Sequence, residues 1–154
     1  MTKIYILIPI YNDWESVSKL IKEINFCIKD LEAEFSIIVI NDASNNQQDI
    51  NLENIDSLKN IKIINMKKNR GHARCIAAGL KYIHENQHYD YIIPMDGDGE
   101  DRPEEIIEFA NQIKKFTNKP IVGKRVKRTE KLIFKICYEL HNQNLLFQKY
   151  ILGR

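Results

Sequence analysis

The chain has 154 residues and 18.1 kDa, with 44% hydrophobic and 29% charged residues. That composition suits one globular domain and excludes disordered, collagenous and multi-spanning membrane classes. With 23 Lys and Arg against 21 Asp and Glu the net charge is +2, too small an excess to announce a nucleic-acid binder.

The first element in the chain is the β-branched run Lys3–Ile10, a buried strand. It is too short for the apolar core of a signal peptide, contains Pro9, and runs into the polar Tyr11-Asn12-Asp13. No stretch approaches the roughly 20 apolar residues of a spanning helix. From Trp14 the period changes: Val17, Leu20, Ile21, Ile24, Ile28 and Leu31 share one helical face. Ser36–Ile40 is a second buried strand, followed by the turn-prone run 41–46. Ile61–Ile64 is a third strand. Ile76, Ala77, Leu80 and Ile83 mark a second helix, and Tyr89–Met95 a fourth strand. Ile106, Phe109, Ala110 and Ile113 mark a third helix, with Asp101 as its cap and Pro103 in its first turn. Pro120–Val122 is a fifth, brief strand. The three cysteines, Cys27, Cys75 and Cys137, form no C-x-x-C pair. Neither a disulfide framework nor a zinc site is implied, and a reducing cytoplasm is the simplest compartment.

Apolar strands alternating with amphipathic helices predict an α/β fold, a mostly parallel sheet with helices on both faces. Right-handed crossovers place the loops after each strand along one edge, where ligands of such sheets bind. The loops at 9–13, 41–46 and 96–101 are therefore expected to converge.

The chemistry concentrates in Met95-Asp96-Gly97-Asp98-Gly99-Glu100-Asp101. Alternate residues of an extended segment share a face, so Asp96 and Asp98 can point at one spot. Two carboxylates that close repel unless a cation lies between them. Mg²⁺ or Mn²⁺, held by carboxylates and substrate phosphates, is the natural partner. Gly97 and Gly99 are expected to let a phosphate and the backbone approach. A polar turn with solvated acids is the alternative. Asp42, after the second strand, can accept the N–H of a uracil or guanine ring, or serve as a turn or cap residue. Tyr11 can stack on a base and Asp13 can reach a ribose hydroxyl, though each can equally be structural. His72 can contact phosphate or simply order its loop.

In combination these segments resemble a known family. Ile8-Pro9-Ile10-Tyr11-Asn12-Asp13 is similar to an hh-P-x-Y-N-[DE] opening, and Ile40-Asn41-Asp42-Ala43-Ser44 to D-D-[GA]-S. Asn69-Arg70-Gly71-His72 with Ala77 and Gly79 is similar to N-x-G-[HK]-x(4–5)-A-x-G. Met95–Glu105 is similar to D-x-D-x-[QE]-D-x-P-E, and Gly123-Lys124-Arg125 to G-x-R. Over residues 3–128 the chain thus resembles the family 2 glycosyltransferases of the GT-A fold, closest to the dolichol- and polyprenol-phosphate sugar transferase branch.

The resemblance implies a Rossmann-like nucleotide-sugar-binding domain over 1–128 and an amphipathic segment over 129–154. It implies that Pro9, Tyr11, Asp13, Asp42 and Asp96 cradle the nucleotide of a UDP- or GDP-sugar. Asp96, Asp98 and Glu100 would hold the metal; Asp98, Glu100 and Arg125 would serve the transfer, with Arg125 near a diphosphate or phosphate acceptor. A phosphate acceptor such as a polyprenyl phosphate is already ionised and needs no strong base; a glycan hydroxyl would need one, with Glu100 or Asp101 nearest. Metal-dependent transfer with inversion is the expected reaction, in cell-envelope polysaccharide synthesis.

Two departures bear on that expectation. Asn41 replaces the first acid of the D-D pair. Members of the family also continue well past G-x-R, whereas here only 128–154 follow, so most of the acceptor half is expected to be missing. The second reading is therefore a catalytically incomplete nucleotide-sugar-binding domain, acting with a partner subunit or as a homo-oligomer. The basic run 124–131 is either a solvated face or a peripheral contact with an anionic lipid surface at the cytoplasmic side of the membrane. A receiver domain or a haloacid-type phosphatase fits poorly. The latter needs D-x-D-x-[TV] after its first strand, and here the motif follows the fourth with Glu100 in the Thr/Val place.

Overall fold

A computed structural model describes residues 1–46, 50, 53–99, 101–116 and 119–123. A compact unit spans Met1–Ile121. Its elements run β1 (Thr2–Ile10), α1 (Trp14–Ile28), β2 (Ala33–Asn41), β3 (Leu58–Asn65), α2 (His72–Asn86), β4 (Tyr91–Pro94) and α3 (Glu105–Lys115).

Among the described residues the strands form one sheet in the order β3-β2-β1-β4, with every pairing parallel. Strand residues alternate between its faces, and the core divides accordingly. Ile4, Ile6, Ile8 and Ile10 of β1 and Phe35, Ile37 and Val39 of β2 pack with the apolar stripes of α1 and α3. Leu7 of β1 and Ile38 and Ile40 of β2 pack with Cys75 and Ile83 of α2. The continuous apolar runs are thus explained by burial on both faces. Close approach of α2 to β1 depends on Gly79: a β-carbon there would lie 2.3 Å from Leu7 Cδ1.

The α/β expectation holds, with three corrections of detail. Pro120–Val122 forms no strand: Pro120 has no N–H to give a ladder, and Val122 is 87% exposed. Asp101 does not cap α3. Its carboxylate accepts the Asp96 N–H at 2.8 Å, and three successive i→i+3 bonds, from the N–H groups of Glu105, Ile106 and Ile107, delay the helix start to Glu105. Helix α2 begins four residues before Ile76, the first residue of its apolar periodicity, directly after Gly71. No helix among the described residues is long and apolar enough to cross a membrane.

Candidate active site

Parallel strands end on the same side, so the segments after Ile10, Asn41, Asn65 and Pro94 meet along one edge. Backbone bonds tie them at the strand ends: Asp42 N–H to Ile10 O (2.9 Å), Met66 N–H to Asn41 O (2.8 Å) and Met95 N–H to Leu7 O (3.0 Å). Further out, the Asn12 N–H donates to Ser44 Oγ (2.8 Å) and the Asn45 N–H to Asn12 Oδ1 (2.8 Å). Trp14, buried beneath, donates its indole N–H to Asn46 O at 2.7 Å. The expected convergence of loops is what the structure shows.

Pro9 is buried within β1, paired with Ile40. Tyr11 is 46% exposed, and its hydroxyl accepts from Asn45 Nδ2 at 3.2 Å. Asp13 caps α1, Oδ1 accepting the Ser16 N–H at 3.3 Å. Asp42 is only 4% exposed; Oδ1 accepts the Arg70 N–H (2.8 Å) and Oδ2 the Gly71 N–H (2.7 Å). Burial alone would raise its pKa. The Arg70 N–H, the Cys75 thiol and the Gly71 N–H outweigh that and hold it below the ordinary carboxylate range. Asn41, in the place of the missing acid, donates to Asn65 Oδ1 (2.9 Å) and accepts the Ser44 N–H (2.9 Å). It therefore organises the 41–46 turn.

Asp96 lies at the end of β4, half exposed, with Oδ1 3.2 Å from Nε2 of His72. The histidine thus joins the start of α2 to the acidic loop. Asp98 is exposed on the same loop. At Gly97 the close backbone approach is found. A β-carbon there would meet Ile10 Cγ2 (3.1 Å), Pro9 O (3.1 Å) and Ile8 Cγ2 (3.3 Å). Its missing side chain lets the loop lie on the end of β1. Glu100, Arg125, the run 124–131, the boundary at 128/129 and Cys137 lie outside the described residues. Among the described residues no cluster of three or more His, Cys, Asp or Glu could hold a metal. A cleft lined by Thr2, Asp90, Ile92, Ile113 and Lys114 lies at the opposite end of β1 and β4 and includes none of these site residues.

Sequence reasoning missed the ties made by Asn12, Ser44 and Asn45. Asn12 and Ala43 both adopt positive φ, 61° and 56°, and an asparagine after a strand is a fair signal of such a turn. Nothing comparable marks Ala43.

The profile of "Glycosyl transferase family 2" matches residues 5–150 of the chain. This chain belongs to glycosyltransferase family 2. An uncharacterized glycosyltransferase, sll0501, of Synechocystis sp. is 31% identical over 111 residues, 70% of this chain and 33% of the relative. The chain therefore spans about a third of the length of that curated relative. Two solved structures of S. aureus TarS 1-349 share the fold, each with a TM-score of 0.55 over 82% of this chain. The one in complex with UDP-GlcNAc is 17% identical and is covered over 39% of its length. The one in complex with UDP is 18% identical and is covered over 40%. The fold common to the family and to these neighbours is the Rossmann-like sheet described above.

Proposed function

We propose that this family 2 chain carries the donor half of a glycosyltransferase moving a sugar from a nucleotide sugar to a lipid-phosphate or glycan acceptor, with inversion by single displacement. One observation carries the reading. Tyr11, the His72–Asp96 pair and Asp98 converge on the carboxyl edge of a parallel sheet, where such folds bind nucleotides. The bound UDP and UDP-GlcNAc of the structural neighbours make uridine nucleotides the first candidates.

On this reading the exposed Tyr11 ring stacks on the base, and the Asn45 amide at its hydroxyl fixes its tilt. Asp96 and Asp98 would hold Mg²⁺ or Mn²⁺ of the kind completed by substrate phosphates and water. When bound, the ion supplies positive charge against that of the departing nucleoside diphosphate. Glu100 would flank the ion and Arg125 the diphosphate or acceptor phosphate. Asp101 is turned to the backbone of its own loop, which favours an acceptor that arrives ionised, as in the polyprenol-phosphate branch. The amphipathic segment 129–154, with the basic run 124–131 leading into it, would rest on an anionic membrane surface on the cytoplasmic side; co-sedimentation with anionic liposomes should fall on deleting 129–154, and co-sedimentation unchanged by that deletion overturns the contact.

The test is a thermal-shift panel of UDP, GDP, CDP and dTDP, with and without Mn²⁺, on wild type and Asp98→Ala. At 100 times its dissociation constant a ligand stabilises by about 2.7 kcal/mol. One nucleotide, UDP, should shift the wild type with Mn²⁺ and fail to shift Asp98→Ala. No shift from any nucleotide in folded protein overturns the donor site. Binding with no sugar transfer or donor hydrolysis would leave a binding domain that needs a partner.

A further inference from the structure

We propose that Asn65, at the end of β3, is a positioning residue for the ring of Tyr11, acting through Asn41 and the turn at 41–46. The inference rests on the donor's base lying against that ring, and names a distant residue that sets it.

Strand β3 is an edge of the sheet, and its Asn65 pairs in register with Asn41 of β2. The Asn41 side chain has one orientation. Its Oδ1 takes the Ser44 backbone N–H at 2.9 Å and the Ser44 hydroxyl as well. Its amide is therefore turned to Asn65 Oδ1, at 2.9 Å. Ser44 Oγ in turn accepts the Asn12 N–H (2.8 Å), and Asn12 Oδ1 accepts the Asn45 N–H (2.8 Å). Asn45 Nδ2 then donates to the Tyr11 hydroxyl (3.2 Å). The links run without a break from the last residue of β3 to the ring after β1. Asn12 and Ala43, on this path, hold left-handed φ values of 61° and 56°. Non-glycine residues persist there only where their surroundings hold them, and the bonds at Ser44 lie beside both.

Asn41 is 6% exposed, and a buried amide needs its partner. The pair admits one acid but not two. An aspartate at 41, as in the D-D pattern, would still accept from Ser44 and from an Asn65 amide turned round. An aspartate at 65 would still accept from Asn41. Aspartates at both positions would face each other as like charges with no donor between them.

The experiment compares wild type, Asn41→Asp, Asn65→Asp and the double variant. Calorimetry uses UDP and inorganic pyrophosphate, each with Mn²⁺; pyrophosphate has no base to lie against Tyr11. Each single variant should bind UDP within about twofold of wild type and the double about tenfold more weakly, a coupling shown by residues in contact and not by independent ones. Pyrophosphate binding should be the same throughout. A double-variant loss no greater than the product of the single losses, or an equal loss for pyrophosphate, overturns the proposal. Trp14 supplies a readout in ligand-free protein. It is the chain's one tryptophan, and its indole N–H donates to Asn46 O, at the far end of the turn, at 2.7 Å. Its emission should shift in the double variant and stay in place in the single ones; unmoved emission in the folded double variant overturns the proposal. Asn65→Leu serves if the double variant does not fold. It changes an exposed residue and removes the acceptor of the Asn41 amide, so it should weaken UDP about fivefold and shift the Trp14 emission; unchanged UDP binding there overturns the proposal too. If wild type binds no nucleotide, the donor-site reading fails, and the Trp14 emission alone decides whether Asn65 positions the turn.

Discussion

Gly97 lies against Pro9, so that a β-carbon on the glycine would sit 3.1 Å from the proline's carbonyl oxygen. That oxygen belongs to a paired strand and cannot give way cheaply. Gly97→Ala is expected to lower stability by about 1–3 kcal/mol, as overpacking generally does. Urea unfolding of the ligand-free protein measures it; a loss under about 0.5 kcal/mol, the usual range of neutral surface changes, would show that the loop lifts off freely.

Ala43 occupies the left-handed region at φ 56°. An alanine pays a steric cost there that a glycine does not. Ala43→Gly should therefore raise stability by roughly 0.5–1 kcal/mol despite the freer unfolded chain. A fall in the denaturation midpoint would contradict this.

The pKa of Asp42 is lowered in the folded state. A lowered carboxyl pKa contributes stability above the unfolded value of about 3.9, and that contribution is lost as the pH falls through the folded value. At pH 7 Asp42→Asn should cost about 1–3 kcal/mol through an unsatisfied buried donor. The gap between the two proteins should narrow below about pH 4. Unfolding curves from pH 3 to 7 give the comparison; a gap that does not change with pH would mean the charge contributes nothing.

Burial, and then the hydrogen bond and charge of Asp42, push the Cys75 thiol up to about 12. It is fully buried besides, whereas Cys27 is only partly so. Iodoacetamide at pH 8 should therefore label Cys75 only as fast as the domain unfolds, and more slowly than Cys27. Mass spectrometry of timed samples reads both sites. Labelling of Cys75 in native protein at the rate of a free thiol would contradict its burial.

The strands β1 and β2 were legible because burial on both faces leaves an unbroken β-branched run. The shared carboxyl edge follows from parallel pairing alone. Other features depended on partners distant in the chain. Whether Asp42 faces outward or inward is decided by N–H groups 28 and 29 residues later, which no local pattern encodes. Asp101 likewise looks like a helix cap until the Asp96 N–H competes for it. The start of α2 was missed because Gly71 offers no capping side chain and His72, Ala73 and Arg74 are all exposed, leaving no apolar period to read.

Strand β4 pairs with β1 beginning at Ile4 and Tyr91, and Lys3 meets Asp90 across 87 residues of sequence. Contacts so remote are slow to form. On the ribosome, β1, α1 and β2 can assemble early, but Leu7 to Ile10 have no neighbour on their other side until residues 91–98 emerge. The acidic loop therefore reaches its place after the rest of the sheet edge is built, and a nascent chain stalled before Asp96 would leave His72 without its carboxylate partner.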